Sequence, residues 1–302
     1  MTERPGREPT LLAEGFHFLE GPRWREGRLY ASDFYDRHVW SFTPDGTGER
    51  IIEVPGQPSG LGFDPQGRLL VVSMLDQRLL RWEEGTLLEA ADLSGLAIGP
   101  ANDMVVDEAG GAYVGSFGVP DPSRPSRIVA TNLVRVEPDG STWPAATGVV
   151  FPNGVVITPD GRTLLVAETF AARITAFDRA PDGSLSGRRV WADFGGGTEF
   201  YDLEEATERQ PVLPDGMTLD AEGCLWVADA KGKGAMRVRE GGEVIDRVDT
   251  GDLSVFALTL GGVDRRTLFL CAAPPFGTTD PAAVRLSALF SCAVDVPGAG
   301  RP

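Results

Sequence analysis

The sequence predicts an all-β fold, a six-bladed β-propeller with a central channel, with residues 1–302 forming one domain. Three observations point there. The 38 glycines and 23 prolines are spread along the whole chain and punctuate short apolar runs, as they do between strands and tight turns. A turn followed by an apolar strand recurs six times, at intervals suited to propeller blades. No comparable amphipathic helix interrupts the series.

In chain order, residues 1–9 read as a flexible tail and TLLAEGF (10–16) as an isolated strand. The repeating units follow: WREGRLYASD (24–33), DPQGRLLVVS (64–73), DEAGGAYVGS (107–116), TPDGRTLLVAET (158–169) and DAEGCLWVADA (220–230). A sixth, GVDRRTLFLCA (262–272), keeps the strand and lacks the glycine. The turn glycines 27, 67, 110, 161 and 223 stand 40, 43, 51 and 62 residues apart, and Arg265 follows Gly223 by 42. A further strand follows each of the first five units, for example HVWSFTPDG (38–46) and NLVRVEPDG (132–140). The stretch YDLEEATERQ (201–210) reads as one short helical turn in a loop. The early strand 10–16 is expected to pair with ALFSCAVDV (288–296) and close the ring, which removes the long exposed edge that invites aggregation.

Composition narrows the function. A net charge of −16 repels phosphate backbones, so no nucleic-acid partner is expected. No run approaches the ~18–20 apolar residues that span a bilayer, so no membrane partner is expected either. The polar start MTERPGREPT lacks the apolar stretch of an export signal, so a cytoplasmic location is expected. The three cysteines, 224, 271 and 292, fall in no CxxC or Cys/His cluster and read as reduced thiols. The remaining expectation is a small-molecule substrate.

The polar residues share a register. Seven residues before Gly27 is Glu20, and eight before Gly110, Gly161 and Gly223 are Asn102, Asn153 and Asp215, with Asp103 following Asn102. If the first strand of each blade lines the channel, these positions converge at one end of the axis. Two carboxylates and two carboxamides gathered there need a counter-charge. One divalent cation supplies it. The all-oxygen donor set favours Ca2+ or Mg2+/Mn2+ over a structural Zn2+; Ca2+ is the leading expectation, with Zn2+, Mn2+, Mg2+ or Fe2+ left open as the native ion. Taken singly, Asn153-Gly154 and Asp215-Gly216 also read as ordinary turn dipeptides, and Glu20 before Gly21-Pro22 as a turn cap.

At these residues the chain resembles the SMP-30/gluconolactonase, or regucalcin-like, family of six-bladed propellers. The matching pieces are LEGPRW (19–24), ANDMVVD (101–107), FPNGVVITPDG (151–161) and LPDGMTLDAEGCLWVAD (213–229), in the family order. The resemblance implies a divalent metal held by Glu20, Asn153 and Asp215, with Asn102 a fourth ligand or a substrate contact through water. It places the catalytic aspartate on Asp215 and implies lactone hydrolysis. Pro100 stands where sugar-lactone members carry an arginine, which leaves an aldonolactone substrate unsupported.

The expected chemistry is attack on a metal-polarised lactone carbonyl, with Asp215 as base or nucleophile. Glu20 and Asn153 hold the ion, and Asn102 and Asp103 orient water or substrate. The long Pro-rich loop 116–132 reads either as a surface loop with solvated arginines or as a lid in which Arg124 or Arg127 supplies a cation, and Phe117 as a pocket wall. Tyr201, beside Phe200 in the insert 194–210, reads either as packing between blades or as a hydrophobic wall at the channel mouth, and Phe34, Tyr35 and Met74 as further lining. The alternatives are the same metal site acting on another electrophile (a vinyl ether, epoxide or phosphotriester), or a propeller that binds a metal or ligand without catalysis.

Overall fold

The computed structural model describes residues 7–119, 128–197 and 203–299. Six four-stranded antiparallel sheets form a ring. The innermost strands are Leu19–Arg25, Pro58–Phe63, Ala101–Val106, Pro152–Ile157, Pro214–Leu219 and Ser254–Gly261, for blades one to six. Each touches its two neighbours in cyclic order, the sixth meeting the first. The six recurrent turns join each innermost strand to the second strand of its blade. The sixth blade takes its outermost strand, Thr10–Phe16, from the start of the chain. That strand pairs antiparallel with Ser287–Ala293, so the ends of the chain close the ring as expected. Just before it, Arg7 pairs with Asp246 at 2.9 Å and bridges to Val248 on blade five.

Alternating side chains on twisted strands bury one face of each blade against the next. Between blades two and three, for example, Val72 and Leu79 pack with Met104 and Val114. Between four and five, Leu165 and Ile174 pack with Leu219 and Val227. The only α-helix among the described residues is Leu203–Arg209, within the segment read as a helical turn. No helix among them is long and apolar enough to cross a membrane.

The innermost strands share a distortion that aims residues into the channel. In blade one, Glu20 pairs with Ser32 but Arg23 pairs with Tyr30, so three residues advance against two. The same extra residue occurs after Pro58, Ala101, Pro152, Pro214 and Val255. A bulge of this kind kinks the strand and re-aims a side chain. The bulges contain Ser59-Gly60, Asn102-Asp103, Asn153-Gly154, Asp215-Gly216 and Phe256. Asn153-Gly154 and Asp215-Gly216 are therefore strand residues, not turn dipeptides. Their glycines answer a steric demand between blades. A Cβ on Gly154 would lie 2.5 Å from the Asp215 carbonyl oxygen, and one on Gly216 2.7 Å from Ala257 Cα.

Candidate active site

The bulges deliver Glu20, Asn102, Asn153 and Asp215 to one cavity of about 460 Å3 at one end of the channel. All four are buried, between 4 and 7% exposed. Their positions follow from the blade repeat: each stands at the start of its innermost strand, where the strand reaches the channel mouth. Asn102 is fixed on both sides. Its Nδ2 donates to the Pro152 carbonyl at 3.3 Å, and its Oδ1 accepts from Ser59 Oγ at 3.5 Å.

The two carboxylates are short of partners. One Glu20 oxygen accepts the Gly21 N–H at 2.9 Å. Asp215 Oδ1 is buried and accepts no hydrogen bond. Burial, with the charge of nearby Asp103, pushes the Glu20 carboxyl up to about 8, against weaker pull from the Gly21 N–H and Arg23. Burial, then the charges of Glu20 and Asp103, drives Asp215 well above the usual carboxylate range. Two buried carboxyls that resist ionisation together are costly unless a cation lies between them.

Asp103 lies differently. Its carboxylate accepts from Arg23 Nη2 at 2.9 Å and from the Met104 N–H at 2.8 Å, and it is absent from the cavity lining. Arg23 also donates to the Pro22 carbonyl at 2.9 Å and to the Met104 carbonyl. With Asp103 paired to Arg23, Glu20 and Asp215 are the two floor carboxyls that a bound cation would hold ionised together. That is the balance for one divalent ion, and the donor atoms are the hard oxygens Ca2+ or Mg2+ takes. Glu20, Asn102, Asn153 and Asp215 therefore fit a divalent cation by charge, by donor type and by the orphaned Asp215 oxygen. Among the described residues, no group of three or more His, Cys, Asp or Glu is placed to hold a metal. Any ion here would depend on the two carboxamides and on water or substrate to complete its shell.

Phe34, Tyr35, Met74 and Phe117 line the cavity, and so does Pro100. Arg124, Arg127, Phe200 and Tyr201 lie outside the described residues. Other residues shape the site without an acidic or amide signal. Ser59 stands eight residues before Gly67, the offset shared by Asn102, Asn153 and Asp215, and supports Asn102 by its hydroxyl without itself lining the cavity. Phe256 fills the sixth bulge. His17 also lines the cavity, its Nδ1 lying 3.0 Å from the Pro281 carbonyl. A carbonyl only accepts, so that nitrogen carries the proton.

The family model described as SMP-30/Gluconolactonase/LRE-like region matches residues 18–274. The chain belongs to this family. A pentonolactonase, XacC, of Haloferax volcanii is 29% identical over 300 residues, covering 94% of this chain and 92% of the other. A 6-deoxy-6-sulfogluconolactonase of Pseudomonas putida is 24% identical, covering 98% and 96%. The crystal structure of a calcium-binding protein, regucalcin, from Agrobacterium tumefaciens superposes with a TM-score of 0.80 at 19% identity, covering 99% of each chain. That last likeness speaks to the fold alone, in keeping with the six-bladed ring.

Proposed function

We propose that this protein is a divalent-cation-dependent lactonase whose catalytic residue is Asp215. The observation that carries the reading is the buried, unpartnered Asp215 Oδ1 beside Glu20 on the floor of an open cavity. The family and the lactonase names among the relatives support it.

When bound, the cation polarises the lactone carbonyl and balances the floor's charge. Glu20, Asn153 and Asp215 hold it, with Asn102 as a further oxygen. Asp215 then acts as general base. Its Oδ1, which accepts no hydrogen bond, takes the proton of an attacking water. The water oxygen bonds to the carbonyl carbon, the ring C–O bond breaks, and the proton passes to the departing alkoxide, giving the open hydroxy acid. Asn102, locked by Pro152 and Ser59, presents its amide at a fixed angle to substrate or water. General-base catalysis of this kind supplies typically 10²–10⁴ in rate.

The test is a lactone hydrolysis screen on the purified protein before and after chelation, with Ca2+, Mg2+, Mn2+, Zn2+ or Fe2+ added back. Turnover lost on chelation and restored by one ion is expected. Undiminished turnover in the chelated protein would refute the cation requirement. A single turnover in 18O-water separates base from nucleophile: label in the product alone is expected, and label in Asp215 would show direct attack.

A further inference from the structure

The apolar packing of this ring has one group more than the blades require. Six clusters among the described residues each seal the junction between two neighbouring blades. A seventh seals none. It runs around the channel mouth from Phe151 and Phe170 on blade four, past Leu213 and Ala230 on blade five, to Phe256 and Ala273 on blade six. Phe18 and Phe117 pack against it. These eight residues also form the wall of the cavity above Glu20 and Asp215.

The wall is organised as two aromatic groups. Phe117 and Phe151 stack with ring centres 4.8 Å apart and planes 9° apart, and Phe170 meets Phe151 edge-on at 4.8 Å. Phe18 meets Phe256 at 4.7 Å and Phe34 at 5.3 Å. The first group belongs to blades three and four, the second to blades six and one. In a ring of six these are opposite pairs, so the two groups face each other across the axis.

Outside the floor, the polar side chains lining the cavity among the described residues are His17, Gln57, Thr169, Tyr35 and Thr279. Glu20, Asn102, Asn153 and Asp215 form the floor. Thr169 is already committed, its hydroxyl donating to the Pro214 carbonyl at 2.8 Å. Tyr35 and Thr279 are exposed at the rim. No lysine or arginine lines the cavity among the described residues. A ligand seated between the phenylalanines would bury its middle against hydrocarbon. Hydroxyls packed against the rings would lose water, with the half-buried His17 and Gln57 left to receive them, which is costly for a polyol, whereas an alkyl or aryl body would gain from burial. The volume of about 460 Å3 falls within the range of small-molecule sites.

We infer that the substrate is an apolar lactone, with its carbonyl on the carboxylate floor and an alkyl or aryl body between the two phenylalanine groups, in preference to a polyhydroxylated sugar lactone. The inference rests on the lactonase reading for its reaction and on the cavity wall for its substrate class.

The test compares two lactams that resist hydrolysis, 3,4-dihydro-2-quinolinone and gluconolactam, titrated calorimetrically into the cation-loaded protein. The bicyclic lactam is expected to bind at least tenfold more tightly, with a negative heat-capacity change that marks apolar burial. Phe117→Asn should weaken it about fivefold and Phe117→Leu should not, while circular dichroism confirms that both variants fold. Equal or tighter binding of gluconolactam, or binding of neither lactam, overturns the inference. Hydrolysis of dihydrocoumarin and D-glucono-δ-lactone supplies the second arm. Higher kcat/KM on gluconolactone overturns the substrate class and leaves the lactonase standing. Selective lactam binding with no turnover of either lactone supports the pocket's preference and overturns the lactonase.

Discussion

Blade five carries a buried aspartate at each end of its innermost strand, and the two are treated in opposite ways. Asp220, beside the turn, accepts from Arg237 Nε at 2.7 Å and from the N–H groups of Glu222 and Cys224 at 2.9 and 3.1 Å. Asp215, at the channel mouth, leaves Oδ1 bare. Blade three repeats the satisfied type. Asp107 Oδ2 accepts from Arg135 at 2.7 Å and from Arg179 of blade four at 2.6 Å. Although burial opposes it, these guanidiniums hold the Asp107 carboxyl below its ordinary value, while burial and Glu20 hold Asp215 above. Asp220 and Asp107 at the turn end are held by arginines; Glu20 and Asp215 on the cavity floor are kept short of partners, which is how a site that must accept a cation and a proton differs from one that only folds. Substitutions at the two ends should therefore separate activity from stability.

The largest separation is expected at Asp215. Asp215→Asn keeps the shape and removes both the charge and the base, so lactone turnover should fall about 10³-fold or more, equivalent to about 4 kcal/mol. The cation-free variant should melt no lower than the cation-free parent, because the lost carboxyl resists ionisation and its Oδ1 holds no partner. A variant that lost its fold along with its activity would place Asp215 with Asp220 and Asp107.

Asp107→Ala should do the reverse. It leaves Arg135 and Arg179 buried without their shared partner, a loss of about 3 kcal/mol by urea unfolding. Activity per folded molecule should stay near that of the parent. The acid limb of stability follows from the same contact. A carboxyl held low when folded contributes stability that is complete above the ordinary carboxylate value and disappears as pH falls through the lower folded one. Glu168, gripped by Arg173 and Thr175, acts in the same sense. The parent's urea midpoint should drop steeply below about pH 4, and in the Asp107→Ala variant that drop should be shallower. Parallel limbs would mean that Asp107 takes no share in the acid transition.

Cation binding comes next in size. An ion at 100 times its Kd should stabilise the parent by about 2.7 kcal/mol, read as a rise in melting temperature. Glu20→Gln removes one of two charged donors and should shrink that rise by half or more, with little change in the chelated protein. An undiminished rise would put the ion elsewhere.

How much of this was legible in the sequence depends on whether repetition exposed it. The six turns, the ring closure by 10–16 and the convergence of Glu20, Asn102, Asn153 and Asp215 were all readable, because a blade repeat converts sequence offset into spatial equivalence. Ser59 obeyed the same offset and was hidden only by its chemistry. The Arg23–Asp103 pair was not readable, since it joins strands of blades one and three through side chains with no common register. The aromatic wall was readable only in part, through Phe34 and Phe117, which follow channel-adjacent strands. Phe18, Phe151, Phe170 and Phe256 sit at four different places in their blades and meet only because the ring brings its mouth loops together.

The smallest effect tests the repeat itself. Five of the six turns place glycine in the left-handed region, at φ between 72° and 90°, and the sixth places Arg265 there at 59°. A side chain in that conformation costs about 1–2 kcal/mol, while glycine returns about 0.4–1 kcal/mol through the freedom of the unfolded chain. Arg265→Gly should therefore stabilise the protein by up to ~1 kcal/mol, or about 2 °C in melting temperature. The mirror-image change is Gly223→Ala in blade five, where an added Cβ would meet nothing within 4 Å. With no clash to confuse the reading, it should cost about 1 kcal/mol from backbone strain alone. If Arg265→Gly were destabilising while Gly223→Ala behaved as expected, the arginine side chain would be contributing more to blade six than its backbone costs, and the loss of the glycine from the sixth repeat would be a gain for that blade.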